Sequence, residues 1–113
     1  MNVEQWDIVR FRIGPEDRDL HPAVVVSPQE WCLDQTKLRL NVLACSKRIP
    51  ADGPKPSQVV LDGADGLDFQ TICGCDFYHV VIRERLAEKI GRVSPIRRRV
   101  IGRKLNEVFR LPL

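Results

Sequence analysis

The chain has no apolar run long enough to span a bilayer, which excludes a membrane-crossing helix and makes a membrane partner unexpected. It has no basic-then-apolar leader either. Glu4 and Asp7 flank Trp6 near the start, so a secretory signal is not expected and a cytoplasmic protein is. Histidine is scarce, with two in 113 residues, and the four cysteines form no C-x-x-C unit. A structural metal site needs more ligands at closer spacing, so neither a metal nor any other cofactor is expected. Cys73 and Cys75 form a C-x-C, and along a strand that period points both sulfurs to one face. With Cys32 and Cys45 they read as small buried thiols of a reducing compartment. Repeats, linkers and low-complexity segments are also missing, which leaves a single domain over 1–113. A 43% hydrophobic and 29% charged composition is that of an ordinary soluble domain.

Strong net charge is lacking too. The balance of +3 does not by itself point to nucleic acid, but its distribution is uneven. Arg97, Arg98, Arg99, Arg103, Lys104 and Arg110 crowd the C-terminal segment, whereas Asp62, Asp65, Asp68 and Asp76 gather earlier. A basic segment of this kind meets phosphates or an acidic partner, or is a solvated face.

What the chain does have is His21-Pro22-Ala23-Val24-Val25-Val26-Ser27, a run of β-branched residues that reads as a strand buried on both faces. The polar loop from Gly14 to Leu20 delivers His21 to the mouth of that strand. Before it, Trp6 to Ile13 alternates as a half-buried strand, with Arg10 and Arg12 sharing the outer face. Ser27, Pro28 and Glu30 predict a capped helical turn. Strands are expected at Leu38 to Cys45, Gln58 to Leu61, Phe69 to Cys73 and Phe77 to Ile82, with a proline-rich loop from Ile49 to Ser57. Leu86 and Ile90 recur at helical spacing, which predicts a helix from Arg83 closed by Gly91. Ser94 and Pro95 open the clearest helix, which runs to about Leu111, and Gly102 within it predicts a close packing contact. Five or six short strands and one C-terminal helix predict a mostly β fold, a small, strongly bent sheet or barrel covered by that helix.

Four stretches stand in a telling order. They are Asp7-Ile8-Val9, the His21 to Ser27 run, Leu43-Ala44-Cys45-Ser46, and Cys75-Asp76 followed by Arg85 to Ser94. Together they resemble the PemK/MazF family of type II toxin–antitoxin toxins over nearly the whole chain. The resemblance implies an SH3-like barrel, a homodimer, and a metal-independent endoribonuclease. Such enzymes cut single-stranded RNA through attack of the adjacent 2′-OH, leaving a cyclic phosphate. It also implies a cognate antitoxin peptide that covers the RNA groove.

Residue by residue, the resemblance assigns catalysis to His21, Ser46 and Asp76. His21 stands where the family has an arginine before its Pro-Ala-Val run, Ser46 replaces a threonine, and Gly74 occupies an arginine position two residues before Asp76. Trp6 stands where the family's first strand usually opens with glycine. Arg18, Lys47 and Arg48 then supply the missing charge as RNA-binding residues. The bland alternatives are a polar rim histidine at His21, a turn-capping serine at Ser46 and a bulge aspartate at Asp76. His79 reads as structural, and Arg97, Arg98 and Arg103 as solvated or at a dimer edge. Two other functions remain open on the sequence. One is a catalytically impaired binding module for RNA, antitoxin peptide or operator DNA in complex. The other is a gyrase poison like CcdB, whose Trp-Gly-Ile type ending the segment Phe109 to Leu113 does not match.

Overall fold

A strand that is apolar at every position needs both of its faces covered. The computed structural model, which describes residues 1–113, gives β2 (His21–Val25) such a place. Ala23, Val24 and Val25 are fully buried. β2 lies between β1 (Asp7–Phe11) and β3 (Arg39–Ser46), antiparallel to both. The short helix α1 (Gln29–Leu33) connects β2 to β3. β4 (Gln58–Leu61), β5 (Thr71–Gly74), β6 (His79–Ile82) and β7 (Leu86–Arg92) complete seven strands, and α2 (Pro95–Phe109) ends the fold. The sheet order is β4-β5-β3-β2-β1-β7, with β6 also pairing with β3. No helix is long and apolar enough to cross a membrane.

β3 bends the sheet. Its residues Arg39–Val42 pair with β6, and Cys45 and Ser46 pair with β5. β2 occupies its opposite edge. Serving two neighbours in succession along one edge curls the sheet into a half-barrel with two cores. Val9, Phe11, Ala23, Val25, Leu40 and Val42 point into one; Ile8, Val24 and Leu43 point into the other, with Cys73, Cys75 and Ile101 of α2. The alternation along β1, β2 and β3 feeds both. This is why β1 buries Ile8, Val9 and Phe11 together rather than one face alone.

Several expectations are corrected. Ser27 does not cap α1, because its buried hydroxyl accepts from the Asn41 N–H of β3 at 2.7 Å, and Pro28 is the N-cap. Arg83 to Ile90 is not a helix. A 3-10 turn over Arg83–Arg85 leads into β7, which pairs with the free edge of β1 through two register shifts. Leu86, Ala87, Glu88 and Lys89 favour helix intrinsically, but an unpaired β1 edge beside the core outweighs a few tenths of a kcal/mol per residue. Gly91 does not close a helix either. A Cβ there would lie 2.5 Å from the Asp65 carbonyl oxygen, so β7 can pass that loop only with glycine. Gly102 has open space around it and marks no contact. Along α2, Ile101 is fully buried while Ile96, Val108 and Phe109 are exposed, and the helix ends at Phe109 with Arg110 left-handed at φ 34°. Trp6, at φ 76°, is also left-handed, a conformation that costs a non-glycine residue about 1–2 kcal/mol. Its indole packs against the second core.

Two cations lock the frame. Arg83 is buried and donates to the carbonyls of Trp31, Cys32, Asp34 and Lys37 at 3.0–3.1 Å, fastening the α1 turn to the end of β6. Lysine cannot reproduce that planar fork. Arg83→Lys is expected to lower unfolding free energy by roughly 1.5–3 kcal/mol, read from urea denaturation.

Arg97 fastens α2. It binds Asp62 in bidentate fashion at 2.7 and 3.1 Å and also reaches the fully buried Asp65. Asp65 in turn accepts from the N–H groups of Asp62 and Ser94. The arginine, with the Ala64 N–H behind it, pulls the Asp62 carboxyl from 3.8 down to about 2. The unfolded chain therefore takes up this proton first as pH falls. The anchor's contribution is complete above about pH 4 and is lost as pH drops through the folded value of about 2. Arg97→Met is expected to melt below wild type at neutral pH, with the gap narrowing between about pH 4 and 2.

Candidate functional site

The site grows from the point where the β1–β2 loop meets the end of the sheet. His21 opens β2 opposite Phe11, and their rings pack at 5.9 Å between centroids. Ala23 pairs with Ala44, and His21 and Ser46 each lie two residues further on. They therefore lie at the same end of the sheet, just past the last β2–β3 pair.

His21 is not alone. Its Nε2 lies 2.8 Å from Asp17 Oδ2. A carboxylate only accepts, so Nε2 carries the proton and Nδ1 is the free ring nitrogen. Asp17 is itself held. It accepts from the N–H groups of Asp19 at 3.0 Å and Ile13 at 3.3 Å. The Asp19 bond first, and then the imidazole, keep its carboxyl below the ordinary value and therefore ionised at neutral pH. Arg12 donates to the Asp17 carbonyl at 2.8 Å, and Arg85 donates to the Ile13 carbonyl at 2.7 Å. Two arginines thus brace the loop that orients one histidine.

Beside this dyad is a cavity of about 430 Å³. Of its twelve lining residues, Arg12, Arg39 and Arg85 are cationic, His21 and His79 are titratable, and none is acidic. Phe11, Val80, Val81 and Ile82 supply apolar wall. A pocket with several cations, two proton carriers and no carboxylate in its wall favours an anion that exchanges protons. His79, expected from its strand pattern to be structural, is exposed at the start of β6 and faces this cavity. The fold brings it there because β6 pairs with β3, setting His79 opposite Val42.

The other residues singled out in the sequence are dispersed. Ser46 is exposed beyond Cys45, which does line the cavity, and its hydroxyl accepts from the Arg48 N–H at 3.2 Å. Asp76 is exposed past β5, outside the cavity wall and without a hydrogen-bond partner. Arg18 projects from the braced loop, and Lys47 and Arg48 follow β3; all three are exposed. Arg97 is not a solvated face residue but the half-buried anchor of α2, and Arg98 donates to the Val93 carbonyl at 2.6 Å. Asp17 escaped the sequence reading although its spacing of four from His21 was visible in a charged loop. No three His, Cys, Asp or Glu side chains converge in a geometry that would hold a metal ion.

Residues 4–109 match the family model described as the PemK-like, MazF-like toxin of type II toxin–antitoxin system. The chain belongs to this toxin family. No curated protein matches it in sequence. Among solved structures, this PemK/MazF-family chain is similar to an endoribonuclease from Mycobacterial species. The TM-score is 0.78 and the identity 15%, over 100% of this chain and 96% of that one. A chain of a MazE–MazF structure from Deinococcus radiodurans gives 0.78 at 17% identity, over 99% and 100% of the two chains. Mycobacterium tuberculosis toxin MazF-mt6 gives 0.75 at 13% identity, over 95% and 99%. At such identities the likeness establishes the fold, and the chemistry rests on this PemK/MazF-family chain's own residues.

Proposed function

We propose that this single-domain protein is the toxin of a toxin–antitoxin pair, a cytoplasmic endoribonuclease that cuts single-stranded RNA at short sequences without a metal cofactor. The observation that carries the reading is the acid-free, arginine- and histidine-lined cavity beside the Asp17–His21 dyad. Similar proteins described as an endoribonuclease, and as an endoribonuclease in complex with its cognate antitoxin, support it.

In this reading Nδ1 of His21 takes the proton of the 2′-OH, and the freed oxygen attacks the adjacent phosphorus. The 5′-oxygen leaves with a proton delivered by His79, and a 2′,3′-cyclic phosphate remains. Asp17 holds the imidazole in the tautomer that leaves Nδ1 available. Arg12, Arg39 and Arg85 face the pentavalent phosphate and stand in for the arginines that His21 and Gly74 replace. Ser46 offers its hydroxyl to a phosphate oxygen at the rim. Arg18, Lys47 and Arg48 hold neighbouring phosphates, while Asp76 serves as an outlying contact rather than as a proton carrier. An antitoxin peptide that covers this rim would block it.

The exposed apolar strip from Phe77 and Val80 to the Tyr78–Phe109 aromatic pair supports a homodimer. Phe77 is 72% exposed, and the paired rings stand 6.4 Å apart.

The purified protein, incubated with EDTA on a long single-stranded RNA, is expected to give discrete fragments. His21→Ala should lower that rate about a hundredfold or more. Asp17→Asn should lower kcat with little change in KM, and Asp17→Glu should recover part of the loss. Intact RNA with the wild-type protein would refute the nuclease and leave a binding module. Unchanged cutting by His21→Ala would remove the histidine from the chemistry.

A further inference from the structure

A second recess lies on the opposite face of β1 from the His21 cavity. It measures about 260 Å³ and is lined by Arg10, Gly66, Asp68, Phe69 and Ile90. Arg10 neighbours Phe11, the partner of His21, but its side chain leaves from the other side of β1. The Arg10 guanidinium carbon lies over the Phe69 ring at 5.6 Å from its centre, and Lys47 Nζ lies over it at 5.9 Å. Arg10 is held by Glu88 at 2.8 Å through one nitrogen, so its remaining N–H groups are free to donate. Asp68 is exposed and makes no hydrogen bond or ion pair.

An aromatic ring flanked by two cations suits a stacked base with a phosphate beside it, and such stacking is a usual way of gripping single-stranded RNA. The polar pair narrows the choice of base. A carboxylate accepts side by side from the N1–H and N2 amino group of guanine, and a guanidinium donates to its O6 and N7. Cytosine and adenine offer the carboxylate a single amino group. We propose that Phe69, Asp68 and Arg10 form a guanine-reading subsite of the RNA strand, with Lys47 on the phosphate that links it to the His21 cavity. This inference rests on the nuclease reading for its ligand, and it makes Phe69 and Asp68 determinants of the recognised sequence.

Binding separates the two proposals. The probes are single-stranded oligonucleotides, fully 2′-O-methylated so that they cannot be cut, with one guanine, inosine or adenine in a uridine background. Fluorescence anisotropy with the wild-type protein is expected to rank guanine above inosine, which lacks the N2 amino group, and above adenine. Phe69→Leu, which keeps an apolar side chain against the core, should weaken guanine binding about tenfold, whereas Phe69→Trp should retain it. Asp68→Ala, on the surface, should equalise guanine and inosine, and this variant carries the test if Phe69→Leu fails to fold. Guanine affinity unchanged in Phe69→Leu, or a guanine preference unchanged in Asp68→Ala, overturns the subsite even if the wild-type protein cuts RNA. Phe69-dependent guanine binding by a protein that does not cut RNA keeps the subsite and removes the nuclease. Absence of any oligonucleotide binding by the wild-type protein overturns the subsite as well.

Discussion

The need to cover both faces of Ala23, Val24 and Val25 governs the molecule. Such a strand fits only at the centre of a sheet whose two sides are both closed. With so short a chain, the sheet has to do the closing itself by curling. β3 carries the bend, because it takes β6 and then β5 along the edge away from β2. The helix α2 then needs to cover only the second core. The narrow contact through Ile101, Val100 and Leu105 suffices for that, while the Arg97–Asp62–Asp65 cluster fixes where the helix starts.

The same curl creates the site. Where β2 begins and β3 ends, the ladder between these two strands stops at the Ala23–Ala44 pair, and side chains there line an open mouth rather than a core. Arg12 and Arg85 are each used twice at that mouth. Each braces the β1–β2 loop by a bond to a carbonyl, and each adds charge to the cavity wall. The loop in turn sets Asp17 against His21. The loop that orients His21 is thus tied to the barrel by two backbone carbonyls, while His21, His79 and Arg39 stand on its strands.

The sequence made the central strand legible because three β-branched residues between a proline and a Ser-Pro leave little else to form. It made α2 legible because Ser94 and Pro95 are strong start signals, and the structure keeps the Ser94 cap. β7 was hidden because its residues favour a helix locally, and only the unpaired edge of β1, distant in sequence, decides otherwise. Ser27 misled for a similar reason: a buried N–H on β3 competes for its hydroxyl more strongly than the end of a five-residue helix. At the site, His21 was legible from its place before the strand. His79 was not, since which face of β6 meets the cavity depends on its register with β3. Asp17 sat in plain view at a spacing of four, but loop geometry had to bring it into contact.

A histidine at position 21 supplies a group that can move a proton, where an arginine would supply only a permanent cation. In the proposed mechanism Asp17 makes that group productive, and three arginines supply the charge. The most direct test is the chemistry of the ends left on cleaved RNA, read by mass spectrometry of a short oligonucleotide digest. Attack by the 2′-OH leaves a 2′,3′-cyclic phosphate on one fragment and a 5′-hydroxyl on the other, with no cut at a linkage whose 2′-OH is replaced by hydrogen. A 3′-hydroxyl facing a 5′-phosphate, or cutting at the 2′-deoxy linkage, would mean that water attacks instead and would contradict the role assigned to His21.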